Sequence, residues 1–181
     1  MIKEITDKQE DWLKDQVIAI ANSQLGKGYL LLGDLDNYIE NNKHSVLVEF
    51  AGDEVKGFCL VSVLSFAEAA NKLRKSVNID EPIGYISMVA TLEKHKREGI
   101  ASKLVEAGVE FLKGKSCKSL VIVTWKSPIS NAMQNLVEKL KFQREFKVDN
   151  YWYMSSLQEG YECPECGNPC RCSAIIYKKN M

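Results

Sequence analysis

Residues 83–125 constrain the fold of this 181-residue chain more than any other stretch. The segment "IGYISMVATL" has the β-branched, largely apolar character of a strand. The segment "GIASKLVEAGVEFLKGK" follows, with Ile100, Leu104, Val105, Gly108, Phe111 and Leu112 on one helical face. Then comes "KSLVIVTW", a continuous apolar run of the kind a strand buried on both faces shows. A strand, a crossover helix and a second strand make a parallel pair, and such crossovers are right-handed. The chain is therefore mixed α/β.

The flanking segments fill in the order β-α-α-β-β-β-α-β-α-β-β. "IKEIT" reads as a first strand. A helix follows, with Thr6 or Asp7 as N-cap, Gln9 or Glu10 three residues on, and Gly26 near its end. Its apolar face carries Trp12, Leu13, Val17 and Ile20. A short helix covers "GDLDNYIENN", and Gly52-Asp53 marks a hairpin between two β-rich runs. "AEAANKLRKSVNIDEP" is a polar, helix-prone insertion. Ile129, Ala132, Met133, Leu136, Val137 and Leu140 give "SPISNAMQNLVEKLKF" a helical period. Two last β segments are expected in "FQREFKVDNYWYMSSL", joined near Asp149-Asn150.

The junction "KREGIA", residues 96–101, carries the first chemical signal. A strand handing over to a helix leaves the backbone N–H groups of residues 97–102 without intrahelical partners, at the positive end of the helix dipole. Such an end binds phosphate. Gly99 lets the backbone approach closely, Ala101 keeps the approach open, and Lys96 and Arg97 can add charge-assisted contacts. A solvated turn is the plainer alternative for the six residues alone. There is no G-x-G-x-x-G and no G-x-x-x-x-G-K-[ST], which disfavours dinucleotide and triphosphate cradles.

Charge excludes several classes. Twenty-four Lys and Arg balance twenty-four Asp and Glu, so neither nucleic acid nor an anionic membrane is favoured as a partner. The charged N-terminus has no apolar core of a leader, and no stretch approaches the roughly 18 apolar residues of a membrane span. A soluble cytoplasmic protein is expected. Of six cysteines, Cys59 and Cys117 sit in or beside apolar runs and read as small core residues. The other four, Cys163, Cys166, Cys170 and Cys172, crowd into "CPECGNPCRC" as C-x2-C-x3-C-x-C. The first half has the shape of a zinc knuckle with Gly167 allowing the curl, and four thiolates suit tetrahedral Zn²⁺. An iron–sulfur cluster, disulfides and free thiols are the alternatives; iron–sulfur runs follow other spacings, and a reducing cytosol disfavours disulfides.

In its setting, Lys96-Arg97-Glu98-Gly99-Ile100-Ala101 resembles the acyl-CoA pyrophosphate loop of the GCN5-related N-acetyltransferase (GNAT) family, [Q/R]-x-x-G-x-[G/A], with Lys96 in the first position. Glu138-Lys139-Leu140 and Phe142 resemble the end of that family's late helix. The resemblance implies a central, mostly antiparallel sheet flanked by helices over residues 1–157; residues 158–181 are expected, from the cysteine spacing and not from the family, to be an added Cys-rich, metal-binding extension. The resemblance also implies direct acetyl transfer from acetyl-CoA to an amine. The cofactor would lie against Met88, Val89 and Ala90, against Lys96, Arg97, Glu98, Gly99, Ile100, Ala101 and Ser102, and against Ser130 and Asn131. Val89 would polarise the thioester carbonyl. Val137 stands where the family often carries a tyrosine acid. Tyr85 takes the place of a glutamate base in some members, and Ser130 that of an asparagine near the sulfur. These two are the catalytic candidates, with Tyr151, Tyr153, Ser87, Asp80, Glu81, His44 and His95 as further titratable or polar groups whose packing roles are plainer.

The implied acceptor is a small-molecule amine or a protein amino group, and the oligomeric state is open, a homodimer included. A non-catalytic acyl-CoA-binding module with the cysteines as its interaction surface is the second hypothesis. A nucleic-acid-binding zinc protein is a third, opposed by the balanced charge.

Overall fold

The computed structural model describes residues 1–6, 10–127 and 131–181. The elements run β1 (Ile2–Glu4), α1 (Asp11–Gln24), α2 (Leu32–Glu40), β2 (His44–Ala51), β3 (Glu54–Leu64), α3 (Phe66–Leu73), β4 (Ile83–Thr91), a 3₁₀ turn (Glu93–His95), α4 (Ile100–Gly114), β5 (Ser119–Trp125), α5 (Ala132–Lys139), β6 (Gln143–Val148), α6 (Tyr153–Glu159) and β7 (Ala174–Asn180). The strands form one sheet in the order β1-β2-β3-β4-β5-β7-β6. Only the β4–β5 pair is parallel, joined by the α4 crossover; every other neighbouring pair is antiparallel. The fold is the mixed α/β sheet that the central segment required.

Strand alternation sorts the sheet into two buried faces. Cys59, Val61 and Ile86 meet Leu104 and Leu112 of α4 and Val137 of α5 on one face. On the other, Phe58 and Leu60 meet Leu13 and Val17 of α1 and Leu35 of α2, while Tyr85, Val121 and Ile176 meet Leu73 of α3. Cys59 and Cys117 are buried in the first cluster, as core residues.

Three local expectations change. Helix α1 starts at Asp11 with Glu10 as its N-cap, later than Thr6 or Asp7; Asp7 and Gln9 fall outside the described residues. Trp12 is 45% exposed, because Leu13, Val17, Ile20 and Ala21 already fill the stripe that faces the sheet. The expected strand after Asn150 is helix α6 instead. Asn150 takes a positive φ of 52° and ends β6. The place beside β5 goes to Ala174–Asn180, whose Ala174, Ile175, Ile176 and Tyr177 are all buried, as an inner strand demands. Residues 158–181 therefore supply both the cysteine loop and a strand lying between β5 and β6.

Close approach fixes one glycine in β3. A Cβ on Gly57 would sit 2.7 Å from the Ala90 carbonyl oxygen and 3.1 Å from Ile100 Cγ2. The obstructing atom is backbone of a paired strand and cannot rotate away. Gly57→Ala is expected to cost about 1–3 kcal/mol, the usual range for overpacking, in urea unfolding; an unchanged midpoint and slope would contradict the tight β3–β4–α4 junction.

Candidate active site

The site begins where the parallel ladder stops. Strands β4 and β5 pair from Ile83↔Ser119 to Ile86↔Ile122 and no further. Beyond that point β4 stays with β3 as far as Thr91, and β5 stays with β7 as far as Trp125. A bulge accompanies the parting: Ile86 opposes Val61 and Met88 opposes Leu60, which leaves Ser87 as the extra residue. Its Oγ donates to the Leu60 carbonyl at 3.1 Å and accepts from the Tyr38 hydroxyl at 3.0 Å. Ser87, Met88 and Val89 on one side, and Val123, Thr124 and Trp125 on the other, border a cavity of about 420 Å³.

At one end this cavity opens toward the α4 N-terminus. Arg97 (φ 71°) and Gly99 (φ 79°) both take left-handed backbone and curl the loop so that Gly99 caps the helix. No side chain caps that end and no acid lies in its first turn, so its N–H groups face outward with their partial positive charge uncompensated. Val89, Ala90, Lys96, Arg97, Gly99 and Ala101 line a second cavity of about 540 Å³, joined by Ile100 and Ser102. Glu98 turns away to His95 (2.9 Å) and Lys56 (3.4 Å). His95 is held from both sides, Nδ1 by Glu98 and Nε2 by Glu54 at 2.8 Å, and these hydrogen bonds, Glu54's first, raise its pKa. Lys96 pairs with Glu93, whereas Arg97 has no ion-pair partner among the described residues.

At the other end a third cavity, about 510 Å³, lies under α2 and shares Ser87, Met88 and Trp152 with the first. The three form one trench along the parted β4–β5 seam. Tyr85 lines its far section, and burial pushes its phenol well above the ordinary value, so it holds its proton and can donate but not act as a base. Tyr29 is raised by burial too, and its hydroxyl accepts from the Trp152 indole N–H at 3.0 Å.

Among the expected cofactor residues, Met88 borders the central cavity and Glu98 alone of residues 96–102 points elsewhere. Asn131 is the exposed N-cap of α5 and lines none of the three cavities. Ser130 lies outside the described residues. Val137 is fully buried in the α4-side core and away from the trench. Tyr151 ties to the Lys72 carbonyl, and His44, lowered by burial, packs on Tyr38. Gln24, Leu25, Trp125, Gln134 and Trp152 also line the central cavity and were not expected from the sequence. Gln134 had a signal: a polar residue between Met133 and Val137 on the apolar face of α5. It is buried, its Nε2 donates to the Trp125 carbonyl at 2.8 Å, and its Oε1 has no partner among the described residues.

The four clustered cysteines converge. Cys163 and Gly167 exchange backbone hydrogen bonds of 3.2 and 2.9 Å, closing the knuckle, and Gly167 takes φ 70°. The four Sγ atoms lie within 4.8 Å of one another, with separations of 3.7 Å (Cys163–Cys172), 3.8 Å (Cys166–Cys170) and 3.6 Å (Cys166–Cys172) and no disulfide. Four sulfurs about 2.3 Å from a tetrahedral zinc would stand roughly 3.8 Å apart. The donor set fits that ion. The Arg171 N–H points at Cys166 Sγ (3.2 Å); against the cost of burial, this bond and the neighbouring thiols hold Cys166 below the ordinary thiol value, whereas burial pushes Cys170 up to about 11.

The Acetyltransferase (GNAT) family model matches residues 9–142. The chain belongs to that family. Among curated proteins, N-alpha-acetyltransferase 30 of Schizosaccharomyces pombe is 29% identical over 69 residues, which is 38% of this chain and less than half, 45%, of that protein. The fold of this GNAT chain also matches solved structures. The NatC complex bound to Gag peptide and CoA has a chain with TM-score 0.72 at 14% identity, covering 100% of this chain and 98% of its own. Arabidopsis thaliana NAA60 with a bisubstrate analogue gives 0.70 at 13% identity, with 99% and 98% covered.

Two outcomes follow for the loop. Gly99→Asp, whose Cβ meets nothing within 4 Å, places a carboxylate in front of the helix end. It is expected to weaken acetyl-CoA binding by roughly tenfold or more, about 1.4 kcal/mol, in calorimetry. Gly99→Ala meets the backbone strain without the charge and is expected to lose less. For His95, the folded pKa is raised above an unfolded value of about 6.5, so its clamp is complete below that pH and is lost as pH rises through the folded value. The melting-temperature gap between the parent and His95→Gln is expected to be widest in mild acid and to close with rising pH; a gap that widens toward alkaline pH would overturn the clamp.

Proposed function

We propose that this chain transfers the acetyl group of acetyl-CoA to an amino group of a polypeptide, and that its four clustered cysteines hold a structural zinc ion. The observation that carries the first part is the continuous trench, with an anion seat at the α4 N-terminus, a parted β4–β5 seam in its middle and a hydroxyl-rich section beyond. The pyrophosphate lies on the N–H groups of residues 99–102 with Arg97 beside it. The pantetheine arm follows the seam, and the buried Gln134 Oε1 offers it a hydrogen-bond acceptor. Backbone groups of β4 at Val89, released from the β5 ladder, polarise the thioester carbonyl.

The neutral amine attacks the carbonyl carbon, a tetrahedral adduct forms, and the carbon–sulfur bond breaks to release CoA thiolate. The departing thiol has a pKa near 8.5, so it leaves at modest cost even though Val137 is no acid. The protonated hydroxyl of Tyr85 is a proton donor in the trench, and the amine's proton leaves through solvent. Residues 1–157 carry the transferase machinery, and residues 158–181 carry the metal segment and the last strand. A polypeptide acceptor is supported by the likeness to N-alpha-acetyltransferase 30 and to proteins solved with peptide and bisubstrate ligands. Four thiolates on zinc suit a reducing, cytoplasmic setting.

Mass spectrometry of peptides incubated with acetyl-CoA tests transfer: one acetyl group is expected on peptides with a free α-amine and none on their blocked twins. Acetyl-CoA binding without turnover of any amine would instead favour an acyl-CoA-binding module, the reading that the burial of Val137 supports. Native mass spectrometry is expected to find one zinc per chain, lost in Cys166→Ser.

A further inference from the structure

The cysteine loop does not hang free of the trench. Pro164 and Glu165, the two residues between the first pair of thiols, line the same cavity as Ser87, Met88 and Val89. Just before the knuckle, Glu162 and Lys27 exchange backbone hydrogen bonds of 2.9 and 3.1 Å, fastening the strap to the α1–α2 connection. A Cβ on Gly26 would stand 2.8 Å from the Glu162 carbonyl oxygen, so the two segments meet backbone to backbone. Tyr161 packs edge-on against Tyr29 at 4.9 Å, and Tyr29 lines the trench. On its other side the strap is anchored to α6, with Asn168 Nδ2 donating to the Ser156 carbonyl (2.7 Å) and the Cys170 N–H donating to Ser156 Oγ (2.8 Å). Three charged side chains line the central cavity. Glu93 and Lys96 neutralise each other, and Glu165 has no ion-pair partner among the described residues.

We infer that the cysteine strap is the acceptor-side wall of the reaction cavity, and that Glu165 at its tip is the positioning residue that receives the acceptor's ammonium group. The metal then sets acceptor affinity: four thiolates on one ion hold the knuckle, the knuckle presents Glu165, and the Lys27–Glu162 bridge fixes the α1–α2 connection opposite. The pyrophosphate of acetyl-CoA binds at the α4 end of the trench, in a cavity that no residue of the strap lines. The inference rests on the acetyl-transfer and zinc readings above and adds to them which part of the chain selects the amine.

The test uses the full, zinc-loaded chain saturated with CoA, and as probes a short peptide with a free α-amine and its Nα-acetylated twin. Calorimetry is expected to show binding of the free-amine peptide and at least about tenfold weaker binding of the blocked one, as loss of a charge contact costs. Glu165→Gln should remove most of that preference and Glu165→Asp restore it, with zinc content and acetyl-CoA affinity unchanged in both. Stripping the zinc with a chelator should weaken peptide binding and leave acetyl-CoA binding within about twofold, a difference too small to reflect a lost contact.

Equal binding of the two peptides, or the same preference in parent and Glu165→Gln, overturns the inference while leaving the zinc and transferase readings intact. A chelated protein that loses acetyl-CoA and peptide together also overturns it, because the strap would then support the whole fold. A chain that never carries zinc fails the metal reading and the metal-dependence with it, and the Glu165 comparison still decides the wall. A peptide that binds with the expected preference but is not acetylated counts against transfer only.

Discussion

The parting of β4 from β5 after Ile86 and Ile122 is the constraint on which the rest depends. A parallel pair joined by a crossover helix is ordinarily zipped along its length, with every backbone group paired. Here the bulge at Ser87 shifts the register of β4 against β3, and the extra residue bends the strand away from its parallel neighbour. The hydroxyls of Ser87 and Tyr38 hold the bend in place. Backbone left unpaired along that seam is costly in a dry core, and a ligand that hydrogen-bonds to it recovers the cost. The same feature that weakens the sheet makes the slot.

Around that slot the charges are arranged by distance. The basic end is built from a helix N-terminus and Arg97, with Lys96 compensated by Glu93 and Glu98 turned away by His95 and Lys56. Turning Glu98 outward matters, because a carboxylate facing the helix end would compete with the anion that end attracts. The far end is hydroxyl-rich, with Asp34, Lys72, Arg74 and Glu159 also in its lining, and burial keeps Tyr85 and Tyr29 protonated. A trench with one cationic end and one proton-donating end suits a ligand with a polyanionic tail and a neutral reacting group.

The strap that carries the cysteines extends this arrangement. It emerges from α6, crosses to the α1–α2 connection, folds into the knuckle and returns as β7 between β5 and β6. Because β7 pairs on both sides, the knuckle is anchored by the sheet as well as by its own thiols. A loop so anchored at both ends can place a side chain reproducibly in a cavity, which a terminal tail could not.

Sequence alone determined the elements whose period is local: the β4–α4–β5 unit, the hairpin at Gly52-Asp53, the glycine-led helix start at Gly99 and the spacing of the four thiols. Each depends on residues a few positions apart, so propensity and pattern carry it. The bulge at Ser87, the outward turn of Glu98 and the place of β7 in the sheet were not legible. They turn on which strand lies next to which, and "AIIYKK" reads the same whether it ends as an edge or an inner strand. The wall formed by Pro164 and Glu165 was hidden for the same reason. Their chain neighbours are two cysteines, but what they face is Met88 and Val89, some seventy-five residues away in sequence, and only the closing of the sheet brings the two together.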